Sequence, residues 1–125
     1  MSNRVLIVDD SLYMRARIKD TLVNAGYDVV GEAENGEKAI DLAMTLKPDI
    51  ITLDNILPDM IGIDILRVLK AEESLHAKII MISAVGQESV IQEGLSLGAE
   101  DYIVKPFTNE VLVEKLNNIK DGIAQ

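Results

Sequence analysis

A chain of 125 residues is the size of one ordinary domain, and a hydrophobic content of 48% is enough for it to bury a core of its own. The 21 acidic against 12 basic residues give a net charge of −9, which opposes nucleic acid and anionic lipid as partners, and the lack of cysteine excludes disulfides, thiolate zinc sites and thiol nucleophiles. No apolar run approaches the roughly 20 residues of a membrane span and no signal-peptide pattern opens the chain, so one soluble domain over residues 1–125, cytoplasmic and monomeric, is expected.

The first apolar run, Val5-Leu6-Ile7-Val8, is short and β-branched and reads as a strand; it ends on Asp9-Asp10-Ser11. Helical spacing follows through Met14, Ile18 and Leu22, with Ser11 as N-cap and Gly26 as stop. Val29-Val30, followed by Gly31-Glu32-Ala33, reads as a shorter edge strand, and Ile40, Ala43 and Met44 as a helix capped by Asn35 and closed before Pro48. Ile50-Ile51-Thr52-Leu53 is a third strand, ending on Asp54, with a helix through Ile65, Leu66 and Leu69 after it. Ile79-Ile80-Met81-Ile82 is a fourth, ending on Ser83, and its helix presents Val90, Gly94 and Leu95 to the core and stops at Gly98. Tyr102-Ile103-Val104 is the fifth, ending on Lys105, and the last helix, capped by Thr108, carries Leu112, Leu116 and Ile119 almost to Gln125. The first, third and fourth runs are apolar at nearly every position, as central parallel strands covered on both faces must be. Five βα units in succession predict an α/β fold, a doubly wound five-stranded parallel sheet, (βα)5; 2-1-3-4-5, the flavodoxin-like order, is the one expected, although periodicity does not dictate it.

In such a sheet the carboxyl ends of all strands meet at one rim, where ligands bind. Asp9, Asp10, Asp54, Ser83 and Lys105 each follow a strand directly and so converge there from almost a hundred residues of sequence. Singly, each has a plain structural explanation: acidic residues at a helix start, a turn aspartate, a cap, a solvated lysine. Together they would require independent caps with complementary charges at the ends of four strands. Three clustered carboxylates suit a hard divalent cation with oxygen ligands, and Mg²⁺, which keeps several waters, suits an open rim. Asp9 and Asp10 are then ligands, directly or through water. Asp54 can attack a phosphoryl group whose oxygens are neutralised by the cation, the Lys105 ammonium and the Ser83 hydroxyl, giving an aspartyl phosphate.

Val8-Asp9-Asp10-Ser11, Asp54-Asn55-Ile56-Leu57-Pro58 with Gly62, Ser83-Ala84, Gly98-Ala99 and Tyr102-Ile103-Val104-Lys105-Pro106-Phe107 resemble, in combination and over essentially the whole chain, the receiver domains of two-component response regulators, and among them the single-domain chemotaxis type. The resemblance implies Asp54 as phosphoacceptor and Mg²⁺ held by Asp10, Asp54 and the main-chain carbonyl of Ile56, with Asp9 acting through water. It further implies Ser83 and Tyr102 as a switch pair, and Lys105 as the phosphate-binding lysine before what is often a cis peptide to Pro106. The implied partners are a histidine kinase of chemotaxis type as donor and a flagellar motor switch protein as output, the output face being Tyr102, Val90, Ile91 and Val111. Ile91 and Val111 fall beside the core positions and are expected to be partly exposed. Ile56 and Val85, two residues past Asp54 and Ser83, cannot hydrogen-bond a water, so slow self-hydrolysis and a separate phosphatase are expected. Asn55 departs from the pattern, since receivers often carry an apolar residue there. His76, the single histidine, falls in a predicted loop and leaves the donor histidine to another protein.

Three other functions compete. A phosphorelay intermediate, passing phosphate from Asp54 to a histidine phosphotransfer protein, shares every site residue. An aspartate-nucleophile phosphatase requires a second carboxylate two residues after the nucleophile, where Asp54 has Ile56, so a switch rather than an enzyme is expected. A flavin-binding protein of flavodoxin type needs hydroxyls and amides after the first strand, where this chain has two carboxylates.

Overall fold

The computed structural model describes residues 3–84 and 86–122. The strands are β1 (Arg4–Val8), β2 (Asp28–Ala33), β3 (Ile50–Asp54), β4 (Lys78–Ala84) and β5 (Asp101–Lys105); the helices among these residues are α1 (Leu12–Asn24), α2 (Gly36–Leu46), α3 (Gly62–Ala71), α4 (Glu88–Ser96) and α5 (Asn109–Asn117), the last running into a π-helical turn, Asn118–Gly122. Residues beyond this turn, where the last helix was expected to continue, lie outside the described part.

All five strands are parallel, in the order β2-β1-β3-β4-β5. Strand periodicity divides the apolar residues between two cores, one on each face. Leu6, Val8, Ile51, Leu53, Ile79 and Met81 meet Ala39 and Ala43 of α2 and Ile65, Leu66 and Leu69 of α3. Val5, Ile7, Ile50, Ile80, Ile82 and Ile103 meet Ile18 and Leu22 of α1 and Leu112 and Leu116 of α5. The double winding thus follows from apolar residues at successive positions of β1, β3 and β4.

β2 is longer than its Val-Val core suggests and runs through Gly31-Glu32-Ala33. It pairs on one side only, as an edge strand, and its register against β1 slips by one residue between Val5 and Leu6. The caps fall where the sequence puts them: Ser11, Asn35 and Thr108 accept from the main-chain N–H three residues on, and Gly26 and Gly98 take positive φ after α1 and α4. One helix face is corrected. In α4, Ile91 is buried and Leu95 only half-buried, because α4 turns Ile91 and Gly94 toward the sheet.

Gly62 opens α3 immediately behind the end of β3. A Cβ on it would lie 2.9 Å from both Asn55 Cα and the Asp54 carbonyl oxygen, which are backbone atoms and cannot rotate away. Gly62→Ala is therefore expected to lower stability by about 1–3 kcal/mol. An unchanged urea midpoint would contradict this reading of the turn.

Candidate functional site

Register assembles the site. Val8 pairs with Leu53, so Asp9 stands beside Asp54; Asp54 pairs with Ile82, one residue before Ser83; and Lys105 ends β5 opposite Ala84. Alternation along the strands puts Asp9, Asp54 and Lys105 on the face covered by α1 and α5, and Ser83 and Tyr102 on the face covered by α4. The rim is thus supplied from both faces of the sheet, with a charged compartment on one side and a hydroxyl-bearing one on the other.

In the charged compartment Asp9 is almost fully buried and Asp54 buried, while Asp10 is exposed. One carboxylate oxygen from each of Asp9, Asp10 and Asp54 lies within 4.8 Å of the others. Lys105 Nζ stands 3.2 Å from Asp9 Oδ2 and 3.5 Å from Asp54 Oδ1, bridging the two buried carboxylates. Asp9 is further fixed by the Ser11 N–H, which donates to its Oδ1 at 2.9 Å. Burial first, and then the neighbouring charge of Asp9, push the Asp54 carboxyl up to about 6 against the counteracting Lys105 ammonium. One ammonium thus does not balance the three carboxylates. An all-oxygen donor set, partly buried and short of positive charge, fits a hard divalent cation such as Mg²⁺.

This raised acidity has a consequence for stability. With a chelator present, the folded protein retains a proton on Asp54 between roughly pH 4 and 6 that the unfolded chain has released, so stability falls as pH rises through that window. At pH 7, Asp54→Asn is expected to be more stable than the parent by on the order of 1–3 kcal/mol, a difference that narrows toward pH 4. Urea melts at the two pH values measure it. A variant less stable at pH 7 would mean that Asp54 serves the fold.

In the second compartment the Ser83 side chain is buried, and its Oγ has no hydrogen-bond partner among the described residues. A buried hydroxyl with nothing to bind is costly, and one at the rim of the sheet can donate to a ligand oxygen that reaches it. Tyr102 is half-buried against the α3–α4 side of the core, with Lys115 Nζ 5.1 Å above its ring and itself paired with Asp101 at 3.2 Å.

The loop after β3 carries Ile56, whose side chain is exposed and whose main chain hydrogen-bonds the Asp54 carboxylate. Val85 lies outside the described residues. Asn55 is buried, donating its N–H to Ile82 O at 3.1 Å and accepting from Gly62 N, while its Oδ1 has no partner among the described residues. The Lys105-Pro106 peptide is cis. His76 is exposed before β4, at the opposite rim.

Arg15 was not legible in the sequence. From α1 its Nη1 donates to the Asp9 carbonyl at 2.7 Å and its Nε to Glu32 at 3.2 Å, tying the acidic turn to the edge strand. An arginine on a surface helix carries no signal of such a reach.

The model of the response regulator receiver domain matches residues 5–117. The chemotaxis protein CheY of Thermotoga maritima is 47% identical over 120 residues, 95% of this chain and 98% of that protein. The CheY of Bacillus subtilis is 44% identical over 117 residues, 94% of this chain and 97% of that protein. Among solved structures, the CheX-CheY-BeF3-Mg²⁺ complex from Borrelia burgdorferi contains a chain that superposes with a TM-score of 0.88 at 31% identity, covering 94% of this chain and 88% of that one. Vibrio cholerae CheY4 superposes with a TM-score of 0.85 at 32% identity, over 94% of this chain and 98% of that one.

Proposed function

The chain belongs to the response regulator receiver family, and on that premise we propose that it is a phosphorylation-activated signalling protein of a two-component system, residues 1–125 forming one receiver domain. The observation that carries the proposal is the placing of Asp54 within reach of Lys105 and of two further carboxylates at one rim. An Asp54 carboxylate oxygen attacks the phosphorus of a phosphohistidine on a partner kinase. The new P–O bond forms as the P–N bond breaks, and the leaving imidazole nitrogen keeps the electron pair and takes up a proton. The Lys105 ammonium and the Ser83 hydroxyl receive the phosphoryl oxygens. Asp10, Asp54 and the Ile56 carbonyl, with Asp9 through water, would hold Mg²⁺, which would supply charge neutralisation there. The protein is a switch rather than an enzyme: Ile56, two residues past the acceptor, offers no proton for turnover, and a separate phosphatase ends the signal.

The output is a surface change. Movement of Ser83 toward the phosphoryl group frees space on the α4 face into which Tyr102 turns, altering the face formed by α4, β5 and α5. With Ile91 buried, the apolar part of that face is Val111 and the half-buried Val90 and Leu95. Likeness to the CheY proteins supports chemotaxis, with a chemotaxis histidine kinase as donor and a flagellar motor switch protein as output. No helix among the described residues is long and apolar enough to cross a membrane, in keeping with a cytoplasmic place for such a carrier. A motor-switch peptide titrated with and without beryllofluoride and Mg²⁺ is expected to bind about 5- to 150-fold more tightly in their presence, an effect lost in Ser83→Ala. Equal affinity in both states, or efficient transfer from Asp54 to a histidine phosphotransfer protein, would move the assignment to a phosphorelay intermediate.

A further inference from the structure

Arg17 stands on the side of α1 that faces the start of α5. Its Nη2 donates to the main-chain carbonyl of Phe107 and its Nε to Asn109 Oδ1 at 3.2 Å. Its guanidinium carbon lies 4.7 Å from the centre of the Phe107 ring, which is itself buried against the core beneath α1 and α5. The contacts straddle Thr108, the N-cap of α5, and Phe107 lies two residues past Lys105. A planar group that holds a carbonyl, a side-chain amide and a ring at once is a clamp that the point charge of a lysine reproduces only in part.

We propose that Arg17 is a positioning residue for Lys105. By pinning Phe107 and the start of α5 to α1, it fixes the strand end from which the Lys105 ammonium reaches Asp9 at 3.2 Å and Asp54 at 3.5 Å. α1 begins directly after Asp9-Asp10-Ser11, and Arg15 on the same helix holds the Asp9 carbonyl. One helix thus sets both the carboxylates and the ammonium, and with them the place a phosphoryl oxygen must occupy. The inference rests on the phosphoacceptor reading above.

A staple that merely joined α1 to α5 would, when lost, weaken every function of the rim alike. A positioning residue predicts a split: an ammonium held less firmly receives phosphoryl oxygens less well, yet competes less with a cation for Asp9 and Asp54. The test titrates the whole protein with Mg²⁺ by calorimetry, and with beryllofluoride at saturating Mg²⁺ by fluorine NMR. Arg17→Met is expected to bind beryllofluoride about tenfold more weakly while Mg²⁺ affinity is unchanged or tighter, with Arg17→Lys intermediate. Unchanged beryllofluoride affinity, or equal losses for both ligands, would overturn the proposal. Should Arg17→Met not fold by circular dichroism, Arg17→Lys carries the same test, since it keeps a charge over the Phe107 ring and loses the fork. A wild-type protein that bound no beryllofluoride would overturn the phosphoacceptor reading itself, and the proposal with it.

Discussion

Asp54→Asn is expected to abolish covalent labelling by acetyl phosphate in the presence of Mg²⁺, where the parent protein gains the mass of one phosphoryl group. The loss should be complete because the amide that replaces the carboxylate has no anionic oxygen to form the acyl phosphate. Asp9 is no substitute: it is almost fully buried, hydrogen-bonded to the Ser11 N–H and paired with Lys105. Asp10 is exposed but begins the turn into α1, off the strand end where Lys105 waits. Labelling of the variant at the parent's rate would remove Asp54 from the chemistry. The same variant is the one expected to be more stable at neutral pH, so a loss of labelling in a protein that melts later cannot be ascribed to unfolding.

Asp10→Lys should be nearly as severe. An ammonium introduced at that position would lie within a few ångströms of Asp9 and Asp54, because the carboxylate oxygens there are within 4.8 Å of one another. It would neutralise part of the acidic cluster and occupy the space a divalent cation needs. Dependence of labelling on Mg²⁺ should disappear and the rate fall by about a hundredfold or more. Stability should hold or rise, since an exposed position gives up repulsion and no packing. A markedly less stable Asp10→Lys protein would mean that the acidic pair is structural.

Much of this site was legible because the sheet converts sequence into position. Once Val5–Val8, Ile50–Leu53, Ile79–Ile82 and Tyr102–Val104 are read as parallel strands, the first polar residue after each must stand at one rim, and Asp9, Asp54, Ser83 and Lys105 do. What pattern alone did not carry was anything set by side chains reaching between elements. The extension of β2 through Gly31 and Glu32 depends on pairing with β1, which overrides the weak strand preference of both residues. Ile91 is buried and Val90 and Leu95 only half-buried because apolar residues at all three positions satisfy helical spacing, and a small rotation of α4 about its axis decides which of them faces inward. Asn55 is polar in sequence and buried in the fold, its main chain fixed by Ile82 and Gly62. Arg15 and Arg17 leave no trace at all, since an arginine that clamps a loop and one that is solvated look the same along a helix.

The most direct test is the identity of the labelled atom. Protein treated with acetyl phosphate and Mg²⁺ is reduced with borohydride, which converts an aspartyl phosphate to homoserine, and its peptides, including those spanning β1 and β3 with the loops that follow, are sequenced by mass spectrometry. The account predicts homoserine at position 54 and nowhere else, with none formed when Mg²⁺ is chelated. Homoserine at position 9 or 10, or none at all in protein that carries the added mass, would contradict it.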